Sequence, residues 1–482
     1  MSKVVTLADH FFYKKSSNKG VTEIETGLKK NYSEIYESAL SIASDLEVKK
    51  GDKLTVILNN SCSWIEYFLA SMMAGWIFCP VPYFVQIQEL DKILSYVKPK
   101  AIVTDRDDVQ INYGDKYNIV TNIGEKVDKK NFLKPKIDEE SPAALYYSSG
   151  TTGNPKGVIY SHKNMTSLIS SIIRGFKFSS EDKQFAFLPF GHTASINYNI
   201  LPALMTGSDL VISQGFEKIR QNFFSVLSKY KITYTQIVPT VLLMLNKLRL
   251  NIEKEDLSRL KFIGCGSSTL PLISQIEFMK TYGLKVANLY GLSETGPSHI
   301  DDPRKQGWEP GSIGEPLDVN ECKIADDGEI LLKGDNVFVG YYQNEKLYNE
   351  VVMNKWFHTG DLGYKKNGKF FFSDRKKDLI IKGGINIVPM EVEEAIYIHP
   401  FVAECVVVGK FNKIHGEEII AVVVLTKDAN NKINLEQEIK DYCKKKLSSY
   451  KVPSKVLFWE SLPKTASKKL IRRKVREEII NR

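Results

Sequence analysis

The sequence predicts an α/β fold: a large N-terminal domain of α/β layers with a small antiparallel β subdomain, followed by a small, mobile α+β C-terminal domain. Three observations carry this reading. Short apolar runs alternate with amphipathic stretches through the first three hundred or so residues, the pattern of parallel sheets covered by helices. Residues 328–373 change to closely spaced strand-like runs. The last hundred or so residues read strand, strand, helix, strand, a unit large enough to fold by itself. A length of 482 residues exceeds one ordinary domain, and 43% apolar with 26% charged residues is the balance of a globular protein.

Taken in order, Lys53–Leu58 reads as a strand, and Asn59, Asn60 and Ser61 offer helix N-cap side chains. Ile65, Phe68, Leu69, Met72 and Met73 then recur at helical spacing, as a core-facing stripe. Further strands are expected at 101–104, 143–147, 185–188, 210–213, 233–238, 262–264 and 286–289. In such folds ligands gather beyond the carboxyl ends of the strands. Residues 328–332 and 369–372 read as antiparallel strands, and the polar, glycine-bearing stretch 374–384 as the join between two units, 1–376 and 377–482. The C-terminal unit offers strands at 404–408, 419–425 and 455–459 and a helix at 435–447.

Composition narrows the function. No apolar run reaches 18 residues, so no transmembrane segment is expected, and the first residues lack the apolar stretch of a secretory signal. Six scattered cysteines without a Cys-x-x-Cys pair suit reduced thiols and a cytoplasmic setting. Lys and Arg exceed Asp and Glu by 66 to 57, a net charge of +9. Residues 441–482 hold 13 basic against 4 acidic side chains, so the whole excess sits at the C-terminal end. Aromatic residues are sparse there, which suits a plain solvated basic face and no nucleic-acid partner; the competing reading is a positive surface that attracts a polyanionic small molecule or an acidic protein.

The most informative stretch is Ser148-Ser149-Gly150-Thr151-Thr152-Gly153-Asn154-Pro155-Lys156-Gly157. Its glycines let backbone N–H groups approach an anion, its hydroxyls add donors, and Lys156 adds a charge, all suited to nucleotide phosphates. The spacing is not that of the P-loop, which has four residues between its glycines followed by Gly-Lys-Ser/Thr. Four later segments join it: Tyr290-Gly291-Leu292-Ser293-Glu294-Thr295, Thr359-Gly360-Asp361, Asp374-Arg375-Lys376-Lys377-Asp378, and Pro463-Lys464-Thr465-Ala466-Ser467-Lys468-Lys469-Leu470. Taken singly, each reads as a turn, a charge run or a basic loop. Glu294 offers hard carboxylate oxygen to Mg²⁺, and Asp361 can accept from both hydroxyls of a ribose.

In this order and spacing the segments resemble the adenylate-forming superfamily of acyl-CoA synthetases, luciferases and amino-acid adenylation domains, and the resemblance covers nearly the whole chain. It implies an ATP-dependent acid–thiol ligase. A carboxylate attacks the α-phosphorus of ATP to give acyl-AMP and pyrophosphate, and a thiol then takes the acyl group, releasing AMP. By position it implies a phosphate loop from Ser148 to Lys156, an adenine-stacking Tyr290 followed by Gly291, a Ser293–Glu294 pair with Glu294 as the Mg²⁺ ligand, and Gly266 and Ser267 lining the nucleotide pocket. Asp361 falls at the ribose position, Arg375 beside ribose and phosphate, and Lys469 at the lysine of the first half-reaction. Lys377 falls at the hinge about which the C-terminal domain turns between half-reactions, and Gly383 and Gly384 beside the tunnel for the thiol arm. Where the family usually has glycine before the catalytic lysine, this chain has Lys468; Lys469 keeps the spacing to Pro463 and Arg472.

Leu188-Pro189-Phe190-Gly191-His192-Thr193 resembles the segment where many acyl- and aryl-CoA ligases carry histidine. No acidic residue lies between 183 and 208, so an α-amino acid substrate is disfavoured. Phe190, His192, Thr193 and Cys265 are the expected acyl-pocket residues. The leading expectation is coenzyme A as acceptor. The alternatives are the phosphopantetheine of an acidic acyl carrier protein and, more remotely, a non-catalytic nucleotide-binding homologue.

Overall fold

The computed structural model describes residues 5–12, 18–121, 132–149, 155–426, 429, 434–464 and 470–480, with backbone alone for Phe12, Ser148, Ser149 and Pro155. Two seven-stranded sheets build the N-terminal part. The first runs Val286–Leu289, Phe262–Gly266, Tyr234–Ile237, Lys183–Ala186, Asp209–Ile212, Gly20–Glu23 and Lys29–Asn31. Every neighbouring pair in it is parallel except the last. The second runs Gly340–Tyr341, Pro155–Ser161, Pro142–Ser149, Ile77–Pro80, Lys53–Ile57, Ala101–Thr104 and Asn118–Val120, antiparallel over its first three strands and parallel thereafter.

Helix Cys62–Ala74 explains how the layers join. Ser61 caps it by accepting from the Trp64 N–H at 3.3 Å, and Gly75 ends it in the left-handed region at φ 70°. Every residue but Ser63 is buried, as expected of a helix apolar around its circumference and enclosed on all sides. Trp64 stacks on Phe68 and meets Phe78 and Phe190 edge-on. The buried Glu66 is neutralised by Lys30 at 2.6 Å.

A five-stranded antiparallel sheet follows, containing Asn320–Ile324, Glu329–Gly334, Trp356–Lys366 and Lys369–Arg375. The C-terminal sheet is built from Ile380–Lys382, Ile385–Ile387, Val402–Asn412, Gly416–Leu425 and Lys455–Phe458. Its long strands alternate faces as strands must. Cys405 and Val407 pack under helices Pro389–Tyr397 and Leu435–Lys444, while Val406 and Val408 pack with Val475 and Ile479 of helix Arg472–Ile480. The fold is therefore α/β with a smaller α+β unit.

Three expectations are corrected. The stretch 374–384 is only in small part a connection: a short 3₁₀ turn, Lys376–Asp378, joins the two sheets, and Ile380–Lys382 with Ile385–Ile387 forms a hairpin. The strand expected at 185–188 is Lys183–Ala186, which leaves Leu188 and Pro189 beyond its carboxyl end. The phosphate-loop segment is followed by a second strand, so its flanks pair as an antiparallel hairpin through Ser148↔Lys156 and Ser149↔Pro155. Lys156 thus stands on a strand.

Candidate active site

Antiparallel pairing places Lys156 beside Tyr341, because Gly340–Tyr341 extends the same sheet with Tyr341 opposite Val158. The Lys156 Nζ lies 5.5 Å from the Tyr341 ring centroid, and the Tyr341 hydroxyl donates to Glu294 Oε1 at 2.8 Å. Ser293 and Glu294 occupy the turn of a tight hairpin in which Gly291–Leu292 pairs with Gly296–Pro297. Gly291 is required there, since a Cβ would sit 2.2 Å from the Gly296 carbonyl oxygen. Two further bonds fix the turn: the Tyr160 hydroxyl donates to the Ser293 carbonyl at 3.0 Å, and the Phe338 N–H to the Glu294 carbonyl at 2.8 Å. No hydrogen-bond partner is recorded for the second Glu294 carboxylate oxygen among the described residues. One carboxylate with an open oxygen suits Mg²⁺, which takes most of its ligands from phosphates and water. Among the described residues no group of three or more His, Cys, Asp or Glu side chains forms a protein-only metal cage.

Beside this turn, the Tyr290 hydroxyl donates to Asp361 Oδ2 at 2.9 Å, and Arg375 Nε lies 3.6 Å from Asp361 Oδ1. The pairing of Asp361 with Arg375 across neighbouring strands sets that contact. Burial pushes the Asp361 carboxyl up to about 6, Arg375 and the Tyr290 hydroxyl act against this, and Glu294 adds to it. The Lys377 ammonium is depressed, first by partial burial and then by the cations Arg375 and Lys156, with Asp378 and Asp361 opposing. Lys156, Glu294, Tyr290, Asp361, Arg375 and Lys377 thus form one electrostatically connected site. A lysine whose charge is disfavoured by two neighbouring cations fits a site for a ligand carrying several negative charges.

The strand ends supply the rest. Gly264 and Gly266 are bare by necessity: a Cβ on the first would come within 2.5 Å of the Gln236 and Tyr234 oxygens, and one on the second would lie 2.5 Å from the Leu289 carbonyl oxygen. Ser267 follows at φ 71°, a left-handed conformation uncommon for serine. Asn60 ties three segments together, donating to the carbonyls of Leu188 and Ser213 and accepting from the Phe190 N–H at 2.9 Å. The same segment presses Gly191 against Pro82, where a Cβ would come within 2.3 Å. His192 faces Phe84, with ring centroids 6.4 Å apart, and Thr193 opens the next helix. A cavity of about 120 Å³ lies beside them, lined by Asn60, Tyr83, Phe84 and Gln214 among others.

One acyl-pocket expectation is corrected. Cys265 is fully buried in the cluster of Ile237 and Ile263, because alternation along its strand turns it away from Gly264 and Gly266. Phe190 packs on Trp64 in the main core and also lines the cavity beside His192. The glycine pair is also reinterpreted. Gly383 and Gly384 have φ of 59° and 79° with open space around both, so the hairpin turn itself requires them in this arrangement. Gly150, Thr151, Thr152, Gly153, Lys468 and Lys469 lie outside the described residues, as do the side chains of Ser148 and Ser149. Sequence reasoning missed Tyr341 and Tyr160, which hold the Ser293–Glu294 turn. Neither lies in a motif, and only the strand pairing brings them there.

Residues 14–342 match the family model of AMP-binding enzymes, and residues 391–469 that of the AMP-binding enzyme C-terminal domain. The chain belongs to the AMP-binding, adenylate-forming enzymes. A long-chain-fatty-acid–CoA ligase of Bacillus subtilis (strain 168) is 32% identical, over 94% of this chain and 90% of its own. A 2-succinylbenzoate–CoA ligase of Bacillus cereus (strain Q1) is 30% identical, over 93% of this chain and 94% of its own. The solved o-succinylbenzoate CoA synthetase of Bacillus subtilis, in complex with its acyl-adenylate intermediate, is 27% identical and superposes with a TM-score of 0.85 over 97% of both chains. This adenylate-forming enzyme is an acid–thiol ligase. No helix among its described residues is long and apolar enough to cross a membrane.

Proposed function

We propose that this adenylate-forming enzyme joins a small-molecule carboxylic acid to AMP and then passes the acyl group to coenzyme A in the cytoplasm, using Mg²⁺. The observation that carries the reading is the connected set Lys156–Tyr341–Glu294 and Tyr290–Asp361–Arg375. In the first step the substrate carboxylate is its own nucleophile, so the protein positions the reactants and stabilises charge. Lys156, with the backbone of the loop before it, holds the phosphates. Asp361 accepts from the ribose hydroxyls and Tyr290 packs on the adenine, with Gly291, Gly266 and Ser267 leaving room for it. Glu294, oriented by Tyr341, holds Mg²⁺, which when bound offsets phosphate charge. Ser293 adds a hydroxyl beside the phosphates. His192 and Thr193 border the acyl group.

Lys469 supplies the charge needed while pyrophosphate departs, and the unit beginning at Lys377 turns to bring Gly383 and Gly384 to the thiol. Lys469→Ala is expected to lower acid-dependent pyrophosphate exchange by ~10²–10⁴ while leaving thioester formation from supplied acyl-AMP largely intact. The same profile in Lys468→Ala would transfer the role to Lys468. A panel of acids in a pyrophosphate-release assay, with CoA or a carrier protein as acceptor, identifies both substrates. Release with no acid would sink the ligase reading, and thioester formed only on the carrier protein would replace CoA.

A further inference from the structure

The strand that carries Asp361 is bulged at that residue. Along Trp356–Lys366, Leu362 pairs with Glu329 and His358 with Leu331 of the neighbouring strand, so Thr359, Gly360 and Asp361 stand opposite Ile330 alone. A bulge of this kind re-aims side chains and disrupts the ladder of backbone hydrogen bonds. Gly360 takes the left-handed region at φ 71°, and the Asp361 carboxylate meets the Tyr290 hydroxyl and Arg375.

Two side chains satisfy the backbone of the bulge. Thr359 Oγ1 donates to the Ile330 carbonyl at 2.6 Å and accepts from the Asp361 N–H at 3.1 Å. Glu329 Oε1 accepts from the Gly360 N–H at 2.8 Å. Glu329 is only 5% exposed, and a carboxylate so buried needs partners for its charge. Its second oxygen has them: Lys376 Nζ donates to Oε2 at 3.3 Å, and His358 Nδ1 lies 3.2 Å from the same atom. An ionised carboxylate only accepts, so His358 carries a proton on Nδ1 there. Lys376 also bonds Asp327. One oxygen of Glu329 is therefore braced, and the other holds the residue next to Asp361.

We propose that Glu329 is a positioning residue for the nucleoside: its carboxylate, braced by Lys376 and His358, tethers the Gly360 N–H and so sets Asp361 where the ribose hydroxyls reach it. This rests on the ribose role given to Asp361 above. A tether acts through its reach. Side-chain length at position 329 should therefore matter more than charge.

The test compares adenosine with 2′,3′-dideoxyadenosine, which lacks both ribose hydroxyls, by isothermal titration of the full chain. Wild-type protein should prefer adenosine by about tenfold or more, the scale of hydrogen bonds to a charged group. Glu329→Asp keeps the charge but is one methylene short of Gly360. Its preference should fall to about threefold or less, with affinity for the dideoxy analogue kept within about twofold. Glu329→Gln keeps the length and an acceptor oxygen for Gly360, while Lys376 retains Asp327, so its preference should stay near that of wild type. Wild-type preference in the Asp variant, or an equal loss for both ligands, overturns the proposal. A folded Gln variant that has lost the preference overturns it too, whether or not the Asp variant folds. Wild-type protein that binds both nucleosides equally overturns the ribose role of Asp361 instead.

Discussion

Asp361 carries the sharpest consequence at the scale of a single residue. Its carboxyl is raised to about 6 by burial, while an unfolded aspartate releases its proton near 3.8. Between those values the folded state binds more protons, so this residue makes stability fall as pH rises through the window. If Asp361 holds the ribose, its deprotonated form would accept from both hydroxyls, so nucleoside binding should follow the opposite trend. Adenosine has no phosphate to titrate near pH 6 and isolates the effect. Its affinity should be about tenfold weaker at pH 5 than at pH 7, since only about a tenth of Asp361 is then ionised in the free enzyme. Asp361→Asn should bind weakly and without this dependence, as isothermal titration across the range would reveal; an unchanged slope would remove Asp361 from the ribose role. Residues of this kind were legible because the chemistry selects their type and their neighbours in sequence carry it too. Tyr341 was not, because its value lies in reaching Glu294 from a strand 47 positions away.

Among elements, the C-terminal hairpin separates local need from distant purpose. Gly383 and Gly384 both sit in the left-handed region with nothing near their Cα hydrogens. Alanine at Gly384 should cost ~1 kcal/mol from backbone strain alone. Asparagine tolerates that region, so Gly384→Asn should leave thermal stability within about 0.5 kcal/mol of wild type. If the pair also approaches the thiol arm, the same variant should slow thioester formation from acyl-AMP roughly tenfold or more. A normal second half-reaction would leave the turn as the whole reason for the glycines. The element-level reading worked best where period and punctuation agreed: Ser61 and Gly75 bracket a helix whose apolar positions the sequence already marked. It failed at 380–387, where two three-residue strands around Gly-Gly are too short for alternation to register against the surrounding charges. It also failed to foresee the strand Pro155–Ser161, because the glycines and Pro155 suggested only a loop.

The whole molecule is two bodies joined by a few residues, and the order of strands and motifs made that division readable. The orientation of one body against the other was not, since it depends on contacts such as that of the Asp374 carboxylate with the Met390 N–H, which form only in three dimensions. Lys377 stands in the 3₁₀ turn at the junction. Lys377→Pro fixes one backbone angle there and should reduce the second half-reaction at least tenfold more than the first. Equal losses in single-turnover measurements of the two steps would remove the hinge role.

Lys377 is also one of the crowded cations beside Lys156 and Arg375. If these residues hold the phosphates, a bound triphosphate would quiet their mutual repulsion, and the departure of pyrophosphate would revive it while the acyl adenylate remains in place. With Lys377 as the pivot, the leaving group would then take with it part of what pins the turn, and the chemistry of the first step would supply its own push toward the second.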